Sequence, residues 1–268
     1  MAENTQIFGS SAIAKVEPDR ITIRGRDLCE ELIGKTSFTY YFLFLLTGRE
    51  PARELVAMTD ACLVAIAEHG FVPSIQAARM TYAAAPDALQ GAVSAGLLGC
   101  GTVILGASET AGILFADILK RQASDATDID TAAIAVLREM RTSKQPVPGF
   151  GHPVHKDEDP RATRLLKLAG ELKVAGRHVE ALLAVERNIG SAYGRLLPLN
   201  VSAAIPAVLL DAGFPLEALR GVPLVARTGS LVANLLEEKN RPLGFKLAAR
   251  AEQGVAYDGP ALESRVDA

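Results

Sequence analysis

The sequence predicts a mainly α-helical protein with one small β-hairpin near its N-terminus. Two segments of alternating residues, 12–16 and 20–24, flank the turn sequence Glu17-Pro18-Asp19, which is typical of a hairpin. After Gly25 the alternation stops, and apolar residues recur at three- and four-residue steps between Gly and Pro residues, as in successive amphipathic helices. A length of 268 residues favours two modest domains over one large one.

The helical segments are indicated by apolar spacing, alanine content and the residues that end them. Apolar side chains recur every three or four positions in 55–66, and this helix is expected to end near His69 and Gly70. Alanine favours helix because it loses little side-chain entropy there. Pro242 is expected to terminate the last clear helix. We predict helices within 55–66, 75–85, 107–120, 128–141, 163–172, 179–193 and 228–238.

Residues 88–108 form a stretch without a charged side chain that is long enough to span a bilayer. Its five glycines, together with Ser and Thr residues, lower its mean hydropathy below the value needed for insertion into a membrane. We interpret it as a buried helix or helix pair in which small residues allow close packing. No membrane contact is therefore expected.

Composition and charge narrow the class of protein further. Apolar residues make up 49% of the chain and charged residues 22%, a composition that excludes a disordered protein. The formal net charge is −3, and the sequence has no cluster of basic residues of the kind that binds nucleic acid. The three cysteines are far apart, without metal-ligand spacing, as in a reduced cytoplasmic protein. The N-terminal sequence resembles no signal peptide. We expect a cytoplasmic protein without a bound metal.

The irregular segment 143–160 is rich in Pro and Gly and carries two of the four histidines. Gly149 and Gly151 allow main-chain N–H groups to approach a ligand. His152 can exchange a proton with a substrate oxygen near neutral pH, and Arg161 offers a planar fork to a carboxylate. These residues favour an anionic, oxygen-rich substrate, whereas the alternative is a solvated surface loop.

The run Gly149-Phe-Gly-His-Pro-Val-His-Lys156, followed by Asp159-Pro-Arg161, resembles the signature loop of the citrate synthase superfamily. Further matches occur in the family's order over about residues 7–260. They are Ile23-Arg-Gly-Arg26, Phe44-Leu-Leu-Thr-Gly48, Glu68-His-Gly70, Ala77-Ala-Arg79, Asn200-Val201, Arg227-Thr228 and Leu235-Leu-Glu-Glu238. In length the chain is similar to the compact citryl-CoA lyases of that superfamily.

The resemblance implies a citrate synthase-like helical homodimer in which each subunit has two domains and a site in the cleft. The large domain would comprise residues 1–111 and 221–268, and the small domain 112–220. Residues 88–108 would lie at the dimer interface. Either Arg241 or Arg250 would reach the partner's site.

The resemblance also implies a reaction that makes or breaks a C–C bond between an acyl-CoA and a 2-oxo acid such as oxaloacetate. The CoA thioester would be a substrate, no cofactor would be covalently bound, and the second ligand would be a di- or tricarboxylate. His152 would polarise or deprotonate the substrate oxygen. Substrate binding would involve His69, Arg161, Arg227 and Asn200, and CoA binding would involve Pro148, Gly149, Phe150, Gly151 and Lys156.

Two positions depart from the family's pattern. Ile104 stands where a histidine stabilises the enolate of the acyl-CoA, and Ser202 stands where an aspartate moves the proton at the acyl α-carbon. Each such group is worth roughly 10²–10⁴-fold in rate. Ser202 is the remaining catalytic candidate beside His152, and water or Ser108 is the candidate donor of a proton to the enolate.

Three functions therefore stay open. The first is cleavage of citryl-CoA or an analogue into acetyl-CoA and a 2-oxo acid. The second is a different CoA-ester reaction, namely thioester hydrolysis or a citrate synthase-like condensation. The third is non-catalytic binding of a CoA ester or carboxylate.

Two remaining features are interpreted as structural. His178 is expected on the surface at the start of a helix. The adjacent acids Asp157-Glu158-Asp159 are interpreted as a solvated turn, because neighbouring carboxylates on a regular element cannot all face one ion.

Overall fold

The computed structural model of the protein describes residues 9–102, 104–151 and 158–260. These ranges contain three short strands and eleven α-helices, which confirms the mainly helical fold. The strands are β1 (Ala14–Glu17), β2 (Arg20–Ile23) and β3 (Arg26–Asp27). The helices are α1 (Phe38–Thr47), α2 (Arg53–Ala67), α3 (Pro73–Ala84), α4 (Leu89–Leu98), α5 (Gly106–Asp125), α6 (Ile129–Thr142), α7 (Pro160–Glu171), α8 (Arg177–Tyr193), α9 (Val201–Asp211), α10 (Gly221–Asn240) and α11 (Gly244–Gln253).

The predicted hairpin is present and is extended by one strand. β1 and β2 pair antiparallel, with Ala14 opposite Ile23, and β3 adds to the far edge of β2. Ile23 packs with Leu32 and Phe44 in a small apolar cluster. The sheet is thereby attached to α1.

Two compact units divide the chain. One consists of residues up to Ile66 with Thr102–Pro223, and the other of Ala67–Gly101 with the residues from Leu224. The expected large and small domains place their boundaries elsewhere, and that division stays a prediction.

In the first unit, α5 packs against α6, α8 and α9. Gly112 on α5 makes a close approach possible, since a Cβ there would lie 2.4 Å from Cδ1 of Leu219. α9 is apolar on nearly all sides and buries most of its residues, as expected of a helix enclosed by others. It also packs against α7 and α8, so its N-terminus is held in a defined place.

In the second unit, α3 packs against α4 and α11. The core of this unit contains Ile75, Ala78, Ala92, Leu231 and Leu235. The glycine-rich stretch forms α4 and the first turn of α5, but the buried residues of α4 are Ala92 and Gly96, and Leu98 at its end is 86% exposed. The interpretation as a buried helix is therefore wrong for most of α4 in the described structure. In the described ranges, no helix combines the length and apolar character needed to cross a bilayer.

The positions of two helices differ from expectation. α10 begins at Gly221 instead of near residue 228, and α11 follows the segment that was predicted to end the last clear helix. Pro242 does terminate α10, but Gly244 starts another helix two residues later. That helix forms because Glu238 accepts hydrogen bonds from Leu243 N and Gly244 N, at 2.7 and 2.6 Å.

Candidate functional site

The turn that precedes His152 is attached to the segment leading into α9. Phe150 forms an antiparallel bridge with Leu199 and is buried. Gly151 N donates to Pro198 O at 2.7 Å, and Asn200 N donates to Gly149 O at 2.9 Å. The backbone of the candidate CoA-binding turn is therefore held by main-chain hydrogen bonds.

Both glycines of this turn have positive φ, but the surroundings restrict them differently. At Gly149, with φ of 79°, a Cβ would lie 2.3 Å from Cβ of Ala203 and 2.6 Å from its main-chain N. At Gly151, with φ of 82°, the nearest atom to a Cβ would be Cδ2 of Leu197 at 3.8 Å. Close packing on α9 thus requires glycine at 149, whereas backbone conformation alone favours it at 151.

Asn200 caps α9 and also holds the turn. Its Oδ1 accepts from Ser202 N at 2.9 Å, and its Nδ2 donates to Gly151 O at 2.6 Å. Both the oxygen and the nitrogen of the Asn200 amide thus form hydrogen bonds with the main chain. Its expected contact with substrate stays a prediction.

Asp159 is the most densely bonded carboxylate near the turn. Oδ1 accepts from Arg161 N at 3.1 Å and Arg161 Nε at 3.0 Å, while Oδ2 accepts from Arg161 Nη2 at 2.8 Å and Val201 N at 2.9 Å. The residue is 1% exposed, so the interpretation of 157–159 as a solvated turn is wrong for Asp159. The carboxylate caps α7 and meets the start of α9, where main-chain N–H groups otherwise lack partners.

The charge state of Asp159 follows from these contacts. Burial raises the pKa of this carboxyl, but hydrogen bonds from Arg161 and Val201 N outweigh burial and hold the pKa below its ordinary value. Asp159 is ionised at neutral pH and pairs with Arg161. Nε and one N–H of Nη2 of Arg161 donate to Asp159, so this pair leaves the N–H groups of Nη1 and the second N–H of Nη2 unused.

His152 and Lys156, which are predicted to bind or convert the substrate, lie outside the described residues, as do His155 and Asp157. The two positions that depart from the family's pattern are described. Ile104 is half-buried immediately before α5, and Ser202 is half-buried in the first turn of α9. Ser108, the other hydroxyl considered, is buried in α5.

In the second unit, Arg227 is a buried cation with unused donors. It lies on α10, is 3% exposed, and its Nε and Nη1 have no hydrogen-bond partner among the described residues. A buried charge without partners is costly, and a bound anion would supply the missing acceptors. Its prediction as a carboxylate-binding residue is consistent with this environment.

His69 lies in the exposed segment between α2 and α3, and its backbone is held by the preceding residue. Glu68 Oε1 accepts from His69 N at 2.9 Å and Gly70 N at 2.7 Å. Glu68 Oε2 accepts from Asn234 Nδ2 at 2.9 Å and from the Ser230 hydroxyl. The His69 turn is thus bonded to α10, the helix that carries Arg227.

A second buried arginine, Arg79, binds Asn234, one of the residues that contact Glu68. Arg79 is fully buried on α3 and donates to Asn234 Oδ1 at 3.3 Å, to Glu238 Oε2 at 3.2 Å and to Glu237. Its guanidinium also lies 5.0 Å from the centre of the Phe71 ring. Sequence reasoning treated Arg79 and Glu238 only as family landmarks and missed Ser230 and Asn234. The polar spacing 227, 230, 234 and 238 along one helix face is the signal that could have found them.

Other candidates can be placed briefly. Arg241 and Arg250 are both exposed, and their expected contact with a partner subunit stays a prediction. His178 is wrongly interpreted as a surface residue: it is half-buried, and its Nδ1 lies 2.9 Å from Asp211 Oδ1. Among the described residues there is no cluster of three or more His, Cys, Asp or Glu side chains that could hold a metal ion.

A glycine turn packed on a helix start, and a buried arginine whose Nε and Nη1 lack partners among the described residues, are features of an anion-binding helical protein. Comparison with known proteins identifies the group. The family model "Citrate synthase, C-terminal domain" matches residues 9–246, and the chain belongs to the citrate synthase family.

Enzymes of known structure resemble the chain over almost its whole length. Citryl-CoA lyase from Hydrogenobacter thermophilus superposes with a TM-score of 0.83 and 30% identity, covering 96% of this chain and 97% of the lyase. Citrate synthase from Pyrobaculum aerophilum matches with a TM-score of 0.65 and 22% identity over 87% of this chain and 55% of that one, which reflects the shared fold.

Curated relatives are longer. Citrate synthase from Haloferax volcanii is 28% identical over 200 residues, which is 74% of this chain and 50% of the relative. Putative citrate synthase 2 from Mycobacterium tuberculosis is 29% identical over 237 residues, covering 85% and 58%. The chain thus spans about half the length of the curated relatives it matches.

Proposed function

We propose that the protein is a C–C lyase that cleaves citryl-CoA, or an analogue, into acetyl-CoA and a 2-oxo acid such as oxaloacetate. The observation that carries the proposal is the match to a citryl-CoA lyase of nearly equal length, with 96% and 97% of the two chains covered. The longer citrate synthases are matched only in part.

The proposed ligand has carboxylates on one part and a CoA thioester on the other. In the second unit, Arg227 would bind a carboxylate, since its Nε and Nη1 are buried without acceptors. His69 would assist it. In the first unit, Arg161 would contribute Nη1 while Asp159 holds the other side of its guanidinium.

The CoA portion would meet the turn 146–151 and Lys156. Gly149 and Gly151 leave the main chain without side chains at two positions, and the bonds to Pro198 and Asn200 keep it in one conformation. Pro148 and Phe150 belong to the same turn. A rigid turn binds with little loss of conformational entropy.

In the proposed cleavage, His152 accepts the proton of the substrate's tertiary hydroxyl. The C–C bond then breaks, the hydroxyl carbon becomes the keto carbon of the 2-oxo acid, and the electron pair forms the enolate of acetyl-CoA. Protonation of that enolate completes the products. Ile104 offers no donor to stabilise the enolate, and in place of the usual aspartate Ser202, Ser108 or water would supply this proton. We therefore expect turnover about 10²–10⁴-fold below that of an enzyme with the usual acid.

The proposal includes a homodimer, with Arg241 or Arg250 completing the partner's site, and a cytoplasmic location. No covalent cofactor is needed for the reaction. The CoA thioester enters as substrate.

The absence of the usual acid and base favours two alternatives. One is another CoA-ester reaction, either thioester hydrolysis or condensation. The other is binding of a CoA ester or carboxylate without turnover, for which the unpaired Arg227 would suffice.

Incubation with citryl-CoA distinguishes these functions. A lyase releases oxaloacetate and acetyl-CoA in equal amounts, and His152→Ala should abolish the release while His178→Asn, a histidine change in the α8 cap, should not. Free CoA without oxaloacetate would indicate hydrolysis. Saturable binding without product over hours would indicate a binding protein and contradict the lyase proposal.

A further inference from the structure

We propose that Glu68 is a positioning residue that holds the His69 turn against the face of α10 that carries Arg227, and so sets the geometry of carboxylate binding. This inference rests on the proposed function, in which His69 and Arg227 bind substrate carboxylates. Both residues belong to the second unit, so the argument concerns contacts within that unit alone.

The hydrogen bonds of Glu68 are divided between two parts of the chain. One oxygen accepts from two successive main-chain N–H groups, those of His69 and Gly70. The other accepts from the side chains of Ser230 and Asn234, which are 162 and 166 residues away in sequence. Only an ionised carboxylate can accept four hydrogen bonds in this way without presenting a donor.

The partners on α10 lie on the same helix face as Arg227. Ser230 is three residues after Arg227 and Asn234 is seven residues after it, so the three side chains lie above one another along the helix. Ser230 is about one turn from Arg227. Through Ser230, Glu68 therefore fixes the His69 backbone about one turn from the unpaired guanidinium.

Arg79 fixes the side chain of Asn234, one of the two α10 residues that bind Glu68. Its Nε donates to Asn234 Oδ1, which leaves Asn234 Nδ2 to donate to Glu68. The amide orientation of Asn234 is thus determined by a fully buried cation on one side and by a carboxylate on the other. Rotation of that amide by half a turn would place Nδ2 against the donors of Arg79 and Oδ1 against the carboxylate of Glu68.

Glu68→Gln tests the inference because it keeps the size of the side chain and replaces acceptor oxygen by a donor. With its NH₂ toward the turn it faces two main-chain N–H groups, and with its NH₂ toward α10 it faces the Asn234 N–H, where only the Ser230 hydroxyl can turn to accept, so at least one hydrogen bond of Glu68 is lost in either orientation. Glu186→Gln is the matched control, since Glu186 is an exposed residue of α8 in the other unit. Ser230→Ala is a second variant that removes one donor and leaves the carboxylate.

The measurement is calorimetric titration with citrate and, separately, with coenzyme A, together with the thermal midpoint of each variant. We expect Glu68→Gln to weaken citrate binding at least about tenfold with coenzyme A affinity unchanged, Ser230→Ala to weaken it less, and Glu186→Gln to match wild type. An equal loss for both ligands would indicate a merely structural residue and overturn the inference. Unchanged citrate affinity in Glu68→Gln would also overturn it.

The same titration separates this inference from the function on which it rests. If wild-type protein binds neither citrate nor coenzyme A, the proposed function fails and the positioning role fails with it. If wild type binds citrate and the Glu68→Gln variant binds it equally well, only the positioning role fails.

Discussion

The carboxylate of Asp159 accepts a hydrogen bond from the main-chain N–H of Val201 at a distance of 2.9 Å, across 42 positions of sequence. The same side chain pairs with Arg161. One buried carboxylate therefore connects the start of α7, the start of α9 and a candidate substrate-binding arginine. Since the glycine turn is bonded to the segment just before α9, Asp159 supports most of the site in the first unit.

Asp159→Ala should strongly destabilise the protein. It leaves Arg161 without its partner and Val201 N without an acceptor, and removing one member of a buried pair costs about 3–5 kcal/mol. Urea unfolding measures the change, with the exposed Asp258→Ala as control. A loss no larger than that of the control would contradict the structural role assigned to Asp159.

Gly149→Ala should be much more damaging than Gly151→Ala. A Cβ at 149 would lie 2.3 Å from Cβ of Ala203, whereas at 151 it would meet nothing closer than 3.8 Å. Gly151→Ala should therefore lose only the free energy needed to hold alanine in a left-handed backbone conformation, about 1–2 kcal/mol. Unfolding free energies compare the two, and equal losses would show that packing on α9 is not what requires glycine at 149.

Arg227→Met should leave the protein as stable as wild type or more stable while removing its affinity for carboxylates. The variant replaces a buried, unpaired charge by an apolar side chain of similar length. We expect citrate binding to weaken by about 2–5 kcal/mol. Thermal unfolding and citrate titration on one preparation test both parts, and retained citrate affinity would exclude Arg227 from the site.

Acid should weaken the contact between α8 and α9 at Asp211. Burial raises the pKa of Asp211, but hydrogen bonds from His178 and from main-chain N–H groups of Val179, His178 and Gly176 outweigh it, and the pKa lies below its ordinary value of 3.8. A depressed pKa in the folded state gives stability that is present above the unfolded-state value and is lost as pH falls through the folded-state value. Unfolding free energy should therefore decline below about pH 4.

The Asp211→Asn variant isolates this effect. It should be less stable than wild type at neutral pH, and the two stabilities should converge in acid, as followed by urea unfolding at several pH values. Parallel curves for the two proteins would contradict the role of Asp211. Asp258→Asn, an exposed change, should follow wild type throughout.

Restoring the family's usual groups should raise turnover. Ile104 and Ser202 are both half-buried rather than fully enclosed. If the protein is a slow lyase, the double variant Ile104→His with Ser202→Asp should release oxaloacetate from citryl-CoA faster by at least the factor of one such group, about 10²–10⁴-fold. Ser191→Ala, on an exposed part of α8, is the control, and an unchanged rate in the double variant would contradict the proposed cause of slow turnover.

Much of the fold was predictable because its signals are local. The apolar spacing of 55–66 identified α2, and the alternating residues around Pro18 identified the hairpin. The sequence also predicted that the loop binds an anionic ligand, since the glycine turn and Arg161 are close in sequence. α11 was missed because the main-chain N–H groups at its start donate to Glu238, a residue of the preceding helix.

From the order of its residues alone, this chain reveals most of its helices, its hairpin, its family and the types of group that can bind an anion, because these signals are carried by short stretches of sequence. The environment of those groups depends on contacts between distant segments. Asp159 became a buried cap, and Glu68 became a link to α10, only because folding brought Val201 and Asn234 to them. Burial and hydrogen bonding are properties of neighbours in space, and a linear pattern of charges does not contain them.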